Sequence, residues 1–540
     1  MREPSHRKRI DGHTPTRNQT GKPERNEHPR GHIFQKFNKT SENGHARVRQ
    51  HFDKKVESMH ESPTDGTPPH SAVAKIFPTL VFCLAAATIM ATQLFRHPVI
   101  SIADNTDFGR ISKQVGIQPV GPYPQGFFKY AHVQFPIGKP ERIKYASTEL
   151  LLCSIARTLN TTFYRRDIFD IRFLGFVHFC AYLASLYLLA CSIRLRLISK
   201  VIFLALMLFT LLDDRITSYF NTFYCESASV IFLVLTVSIM LTLYPAYLTR
   251  KTIWFRLLSF LACSLLLSYS KAQHLILLIP LWCFGMCVAW SKMISRKDRH
   301  AWAVASAFLM LGGLWFGIES RAFAGTQNTN IRIVLAEEIR PHSPDYEKDL
   351  REMHATKNDI SRVTLGRIGL FYARHPKRYW QLLERRAAKA FQHIPYGSFT
   401  EEASRSPWEQ SSKFNIWWHF KQKHFPKYLW FIFGTLAISA LFGAYNYLKG
   451  PGKWRSHLGL VCTTLSIMTV CAYLIASTFE ANGPEKHLFL FNILFDLVIA
   501  FSLLPAALSL GRLVPLRPPY TIKRGEQPAA QVQSEGAPSD

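Results

Sequence analysis

The sequence predicts an all-α fold: a polytopic bundle of about ten transmembrane helices, with helical outer loops and a disordered N-terminal tail. Three observations point there. Apolar stretches of about 18 or more residues recur from Ile76 to the neighbourhood of Leu510. Short, strongly basic segments separate them. The mean hydropathy near zero is the average of these two populations and does not describe either of them.

The spans predicted in order are 76–95, 171–193, 200–213, 225–247, 253–269, 274–290, 301–318, 428–447, 457–477 and 488–510. The third would be only roughly 20 Å long at 1.5 Å per residue. The fifth and sixth come from one stretch that, as a single helix, would be about 57 Å long, nearly twice the hydrocarbon thickness. Ser270, Lys271, Gln273 and His274 stand at its middle, so a tight hairpin is expected there.

Charge in the short loops sets the orientation. One set holds Arg194, Arg196, Lys200, Arg250, Lys251, Arg256, Lys292, Arg296, Lys297, Arg299, Lys449, Lys453 and Arg455; the other holds only Arg215, Lys271 and Lys486. The first set is expected to face the cytoplasm, together with both termini. With ten spans this assignment is self-consistent, and dropping the short third span would break it. The predicted localisation is thus a cell membrane, multi-pass, with both termini cytoplasmic and the segments 96–170 and 319–427 outside.

The chain has 540 residues and a formal net charge of +28, which alone would suggest nucleic acid or an anionic membrane surface. Residues 1–72 are rich in Arg, Lys, His, Pro, Thr, Asn and Gly. Such a segment cannot bury enough surface to offset its ordering entropy, so it is expected to be a disordered cytoplasmic tail. No nucleic-acid fold or aromatic interleaving accompanies the charge, and membrane lipid is the expected neighbour. The first apolar run starts too late for a signal peptide. The membrane domain is predicted over 73–512, and residues 513–540 form a second disordered tail. Most of the ten cysteines lie inside apolar runs, where they act as small hydrophobes; neither zinc-type spacing nor CxxC occurs, and no disulfide or structural metal is expected.

The second outer segment contains readable helices. His342-Ser343-Pro344-Asp345 is a start signal, with Ser343 as N-cap and Pro344 at the first helical position. His375-Pro376 starts another, in which Tyr379, Leu382, Leu383, Ala387, Ala390, Phe391 and Ile394 recur at helical spacing and Lys377, Arg378, Arg385, Arg386 and Lys389 cover the opposite side. It could simply lie on the lipid surface. Trp417, Trp418, Tyr428 and Trp430 fit an interfacial aromatic belt.

No phosphate-cradling glycine loop, zinc HExxH or nucleophile elbow is present. The chemical signal is the sidedness of polar groups. The outer ends of the spans collect Asp104, Asp107, Arg110, Asp213, Asp214, Asn221, Glu226, Lys271, His274, Glu480, Lys486 and His487. A carboxylate there could act as general base, and cations could hold a phosphate leaving group. Each group has a plainer reading. Asp213 and Asp214 could end a span in water. Glu226 sits in the first turn of a helix, where a carboxylate suits the positive end. Lys271 and His274 could be turn groups reaching the interface, although their three-residue spacing puts both on one face. Asp496, about eight residues into the last span, is either functional or hydrogen-bonded to a neighbouring helix. His178 reads as a packing histidine. Asp104 and Asp107 read as a capped turn.

Several segments together resemble a family of bacterial multi-pass membrane proteins. They are Asn105-Thr106-Asp107-Phe108-Gly109-Arg110 with Val115-Gly116, Ser147-Thr148-Glu149-Leu150-Leu151, Tyr219 to Tyr224 with Glu226, and Ser270-Lys271-Ala272-Gln273. Arg340 to Pro344, His375 to Trp380 and Lys486 to Asn492 complete the set. The family is similar to hexose transferases of glycan biosynthesis, in the GT-C class of membrane glycosyltransferases. The resemblance runs from about residue 100 to about residue 500 and leaves out the N-terminal tail.

It implies a polyprenyl-phosphate sugar as donor, a glycan acceptor, and an acidic residue of the first outer loop as base or acceptor-orienting group. Carried to this chain, that residue is Asp107, with Asp104 as helper. Some family sequences have Gly where this chain has Thr106, which bears on loop shape. Arg110, Asp213, Asp214, Glu226, Lys271, His274, Lys486 and His487 are the candidates for substrate binding, with the lipid phosphate held by Lys271, His274, Lys486 or His487. No cofactor is required. A divalent metal is conceivable, with Asp107 and Asp213 or Asp214 as hard oxygen ligands, but none is expected. Two other readings stay open: a transporter or flippase for a lipid-linked glycan, which internal repeats and broken spans would favour, and an assembly partner in a polysaccharide-export machine, which would fail without residues 1–72.

Overall fold

The computed structural model describes residues 70–121, 128–143, 145–195, 197–244, 250–290, 295–319, 330–404, 406–449, 454–479 and 483–513. Nearly all of the predicted N-terminal tail, the C-terminal tail from 514 and Glu480 lie outside them.

The protein is an all-α membrane bundle. Each predicted apolar run falls on a helix: His70–Leu94, Ile171–Ser192, Leu197–Leu211, Glu226–Thr242, Arg250–Ser268, the 3₁₀ turn Ala272–Leu277 with Leu278–Ala289, Arg296–Glu319, Leu429–Lys449, Trp454–Phe479 and Phe489–Leu513. Five of these are long and apolar enough to cross a membrane by length and composition among the described residues: Ile76–Leu94, Ile171–Ser192, Ala272–Ala289, Leu429–Lys449 and Trp454–Phe479. Four more, Leu197–Leu211, Glu226–Thr242, Thr252–Ser268 and Phe489–Leu504, are apolar but shorter. The short third run is a helix of 15 residues, about 22 Å.

Burial separates the helices. The 226–242 helix is apolar nearly all round because it is enclosed nearly all round: the consecutive residues Val230, Ile231, Phe232, Leu233 and Val234, which circle the helix, are all buried. The 70–94 helix instead leaves Ile76, Phe77, Leu80, Val81 and Leu84 exposed, as the 296–319 helix does Val304, Phe308, Leu311 and Trp315. Such bands suit lipid, which demands that backbone polar groups be satisfied within the helix but tolerates any apolar surface. The 429–449 and 454–479 helices approach most closely at Gly443 and Gly459, where a Cβ on either would strike the other's carbonyl oxygen.

The predicted hairpin near 270 is present. The 250–268 helix ends at Ser268, and Lys271 has an extended backbone (φ −151°, ψ 141°) before the chain turns into the next helix. Between the first two long helices, strands Gln134–Pro136 (β1) and Ile168–Asp170 (β2) pair antiparallel, with Phe135 opposite Phe169, and bracket the amphipathic helix Glu149–Phe163.

The segment 319–427, expected from the sequence to lie outside, holds helices Tyr346–Glu352, Leu365–Arg374, Pro376–Lys389 and Ile416–His424. Two details correct the sequence reading. The first helix is capped by Asp345, whose side chain accepts the Lys348 N–H, so it starts two residues later than the Ser343 signal suggested. Ser343 instead donates to Asp349 Oδ2 at 2.5 Å. Arg386, expected on the polar face of the 376–389 helix, is buried against Glu338 at 2.8 Å, with Arg385 at 3.3 Å from the same carboxylate. That helix does not lie loose on a surface: Leu382, Leu383 and Ala387 are buried, and Tyr473 of the 454–479 helix donates to the Leu383 carbonyl. The His375-Pro376 start is as expected, with Pro376 in the first turn.

Candidate functional site

The loop after the first long helix is held as a rail before it reaches its acids. Ser101 N–H donates to Ser398 O (3.1 Å) and Ala103 N–H to Gly397 O (2.9 Å). Tyr224 then fixes the turn: its hydroxyl donates to Ala103 O (2.8 Å) and accepts the Asn105 N–H (3.0 Å). Asn105 Oδ1 accepts the Asp107 N–H (3.2 Å), and Asp104 Oδ1 accepts the Phe108 N–H (3.2 Å). The tip between them is Thr106, at φ +78°. This is left-handed backbone, natural for glycine and strained for threonine. Phe108 anchors the far side, its ring 4.7 Å from that of Tyr224 and 5.4 Å from that of Phe223.

This loop presents Asp107 to two cations. Arg110 reaches Oδ1 at 2.9 Å, and Lys486 contacts Oδ2. Lys486 comes from the short turn Pro484–His487 ahead of the last membrane helix. Its ammonium also donates to Asn105 Oδ1 (3.3 Å) and sits 3.9 Å from the Tyr224 ring centroid, a cation–π contact. Burial pushes the Asp107 carboxyl up, but Lys486 and Arg110 outweigh it and hold the group well below the usual carboxylate range.

A second ion pair adjoins the first. Lys271, at the hairpin, lies 3.0 Å from Glu226 Oε1 at the start of the central helix. Lys271 Nζ also stands 3.2 Å from His487 Nδ1. Burial, then Lys271 and Lys486, push the His487 pKa well below its usual value, so the imidazole is neutral and Nδ1 accepts from the lysine. Gln273 donates to the His487 carbonyl (3.2 Å) and ties the hairpin to the 484–487 turn.

Asp107, Arg110, Tyr145, Phe223, Tyr224, Cys225, Glu226, Lys271 and Lys486 line one pocket with about 250 Å³ of empty space including its mouth. Five of the sequence candidates thus meet from four distant parts of the chain, and His487 touches one of them. Tyr145 and Cys225 did not stand out in the sequence; the Tyr145 hydroxyl and Cys225 Sγ are 3.4 Å apart. Asn105 and Tyr224 lay inside the resembling segments without being singled out. His274 is buried just behind the pocket, its Nδ1 3.0 Å from Ser270 Oγ and 3.3 Å from Ser229 Oγ.

Asp213 and Asp214 have other surroundings. Asp213 caps two helices at once: Oδ1 accepts the Arg215 N–H (3.0 Å) and Oδ2 the Trp418 N–H (2.9 Å). Asp214 is buried with Arg215 Nε 3.6 Å away. Burial pushes the two carboxyls up, to about 6 for Asp213, where backbone N–H groups oppose it, and to about 7 for Asp214, where Arg215 does. Their contacts are with Arg215 and the 410–418 region, away from the Asp107 pocket with which either of them was conceived as a hard oxygen ligand. Among the described residues no three His, Cys, Asp or Glu side chains are placed to hold a metal ion.

Asp496 pairs with Lys421 at 2.8 Å, both buried, and Lys421 lies 4.5 Å from the Trp418 ring centroid. This pair joins the 416–424 helix to the last membrane helix. His178 is fully engaged: Nε2 lies 2.9 Å from Glu149 Oε1 and Nδ1 2.8 Å from Phe220 O. Glu149, also buried, accepts the Ala228 N–H in the first turn of the central helix (3.1 Å).

A family model described as the YfdI N-terminal transmembrane domain matches residues 68–353 and 337–512. No curated protein matches. Among solved structures, the chain is similar to the archaeal oligosaccharyltransferase AglB from Archaeoglobus fulgidus in complex with an inhibitory peptide and a dolichol-phosphate, with TM-score 0.37, 13% identity, 82% of this chain and 52% of that chain covered. It is also similar to the Archaeoglobus fulgidus oligosaccharyltransferase tethered with an acceptor peptide containing the NVT sequon, with TM-score 0.37, 12% identity, and 80% and 50% covered. The chain spans about half the length of these proteins.

Proposed function

The chain belongs to the YfdI N-terminal transmembrane domain family, and we propose that it is a membrane glycosyltransferase moving a hexose from a polyprenyl-phosphate donor to a cell-envelope glycan or glycoconjugate on the outer face of the bacterial cytoplasmic membrane. One observation carries this reading: Asp107 converges with Arg110, Lys271, Lys486 and Glu226 in a single pocket at the ends of apolar helices.

The pocket is built for a negatively charged leaving group. Arg110, Lys271 and Lys486 supply three cations against the two carboxylates of Asp107 and Glu226. A lipid-linked phosphodiester entering it meets charge-assisted donors and adds the negative charge the cluster lacks. Its apolar chain would lie along the membrane helices. As the sugar–phosphate bond breaks, the phosphate gains charge and the cations stabilise it where that charge develops. The acceptor hydroxyl forms the new bond to the sugar and gives its proton to Asp107.

Asp107 is a weak base while Lys486 and Arg110 hold it. A phosphate that draws Lys486 toward itself loosens that grip and raises the basicity of the carboxylate when the donor is bound. Asp104, as helper, holds the turn through the Phe108 N–H. His274 acts through Ser270 at the hairpin.

The test compares envelope glycans by mass in cells with the intact chain, without it, and with Asp107→Asn. A hexose should disappear from the glycan in the latter two, while Asp107→Asn is inserted and accumulates like the wild type. Unaltered glycan in the Asp107→Asn cells would remove the case for this chemistry.

A further inference from the structure

We propose that Phe128, Tyr396 and Trp408 form an acceptor subsite, an aromatic platform that stacks the apolar face of a pyranose ring in a neutral glycan chain and leads that chain to Asp107. The proposal rests on the transfer reading above and adds to it where the acceptor binds and what chemistry selects it.

The platform is continuous with the reacting carboxylate. The Trp408 and Phe128 rings are stacked, with centroids 6.2 Å apart and planes at 19°. Phe128 and Tyr396 follow at 4.8 Å. The Tyr396 hydroxyl accepts from Asn105 Nδ2 at 3.3 Å, and Asn105 Oδ1 in turn accepts from both the Asp107 N–H and Lys486. Exposure grows along the same path, from buried Tyr396 through half-buried Phe128 to Trp408 at 44%.

The backbone fixes this surface relative to the base. Phe128 N–H donates to Asp104 O (3.3 Å), Gly397 N–H to Phe128 O (2.8 Å) and Trp408 N–H to Lys129 O (3.3 Å). Gly397 is needed there, because a Cβ would strike the Lys129 carbonyl. The same Gly397 backs the Asp107 loop through its carbonyl. Phe128 and Trp408 both sit at positive φ, +63° and +70°. Bulky aromatic side chains pay a strain cost in that region and persist there when the surroundings over-determine them, which is common at binding sites.

Charge selects the occupant. The donor pocket is cationic, whereas the loop carrying Trp408 has three carboxylates in its sequence, Glu401, Glu402 and Glu409, against one cation, Arg405. Glu402 and Glu401 face His132. Carboxylates accept hydrogen bonds from hydroxyls and repel phosphate, and exposed aromatic faces attract polarised C–H groups. A neutral, hydroxyl-rich ring satisfies both, and exposed Lys129 nearby does not alter that balance. An anionic lipid surface satisfies neither, which separates this tryptophan from an interfacial anchor.

The experiment uses the full chain purified in detergent. The probe is the neutral oligosaccharide mixture released by mild acid from the host's envelope polysaccharide, followed by saturation-transfer NMR for binding and by transfer kinetics. Trp408→Gly removes the ring and suits the positive φ, so the fold is not threatened; Trp408→Phe keeps a ring. The acceptor KM should rise roughly two- to tenfold in Trp408→Gly, the factor one aromatic contact supplies. The donor KM and the thermal midpoint should stay put, and Trp408→Phe should recover most of the loss. An unchanged acceptor KM in Trp408→Gly, with transfer intact, overturns the subsite and leaves the transfer reading standing. Probe binding lost in Trp408→Gly, with no transfer by the wild type, upholds the subsite and removes the transfer reading.

Discussion

Lys486→Met separates the two duties assigned to the Lys486 ammonium, clamping phosphate and restraining the base. Methionine keeps an unbranched apolar stem and removes the charge. Lys486 is 2% exposed and Asp107 19%. Removing one partner of a buried ion pair costs about 3–5 kcal/mol, because the other is left buried and uncompensated. Here Arg110 stays on the carboxylate at 2.9 Å and the remaining exposure admits water, so a loss of about 1–2 kcal/mol in stability is expected. Turnover should fall roughly 10²–10³-fold, the cost of deleting one preorganised donor to a developing anion. The pH profile distinguishes this from general damage. In the wild type Asp107 lies below the usual carboxylate range, so the base is ionised at any working pH and kcat/KM shows no acid limb above about pH 5. In the variant, burial is opposed chiefly by Arg110 and the carboxyl rises, so kcat/KM should fall on going from about pH 7 to about pH 5. The linked stability has the same origin: Asp107 is stabilising above its unfolded pKa of about 3.9, and that contribution is lost as pH drops through its lower folded value. Transfer from polyprenyl-phosphate hexose in detergent, followed from about pH 4.5 to about pH 8, is the assay. A variant with wild-type turnover and an unshifted acid limb would refute both duties.

Three more outcomes are expected. Lys271→Ala should raise the donor KM at least about tenfold while sparing the acceptor KM, since it removes one charge-assisted phosphate contact and leaves Glu226 unpaired; an unchanged donor titration would make Lys271 a turn residue. Asp214→Asn should stabilise the protein at about pH 8 by about 1–3 kcal/mol and hardly at about pH 4, because a folded-state carboxyl raised to about 7 binds protons the unfolded chain does not, so wild-type stability declines as pH rises between these values; parallel melting curves of variant and wild type across that range would contradict this. Thr106→Gly should raise the thermal midpoint by the equivalent of up to about 1 kcal/mol, the left-handed strain outweighing the entropy of an added glycine; a lower midpoint would mean that the threonine makes a contact worth more than its strain.

What could be read from the sequence follows from periodicity and sidedness. Long apolar runs have one answer in lipid, so the helices and the hairpin at Lys271 were legible. Glu226, Lys271 and Lys486 could be picked out as polar groups at the ends of those runs, whereas Asp107 read as a capped turn and was singled out by the family resemblance alone. Which of them would meet was not legible. Asp213 ends an apolar run as Glu226 opens one, both acids at a span end, yet Asp213 caps the 416–424 helix through Trp418 and does not line the pocket. Arg386 shows the limit of helical wheels: spacing put it on the polar face, and the partner that buries it, Glu338, lies about fifty residues away in a separate element. The aromatic platform was invisible for a similar reason. Phe128, Tyr396 and Trp408 belong to irregular segments with no period, and backbone hydrogen bonds to Lys129 and Gly397 assemble them.

The order in which the charges are satisfied constrains the reaction cycle. Without donor, each carboxylate of the pocket has its own cation: Asp107 has Lys486 and Arg110, and Glu226 has Lys271. A base so paired is protected from stray protons and also from the acceptor hydroxyl. A phosphate must compete for the same cations, and it can do so best at Lys271 and Lys486, which His487 connects through its contact with Lys271 and its place in the chain. Each cation turned toward phosphate leaves a carboxylate less compensated and more basic. Donor binding would therefore create the base that the acceptor needs, which favours an order in which the lipid-linked sugar enters before the glycan is deprotonated. Once the donor is bound, the more basic carboxylate can activate water as well as the acceptor hydroxyl, so on this reading the acceptor itself must exclude water from the pocket before transfer.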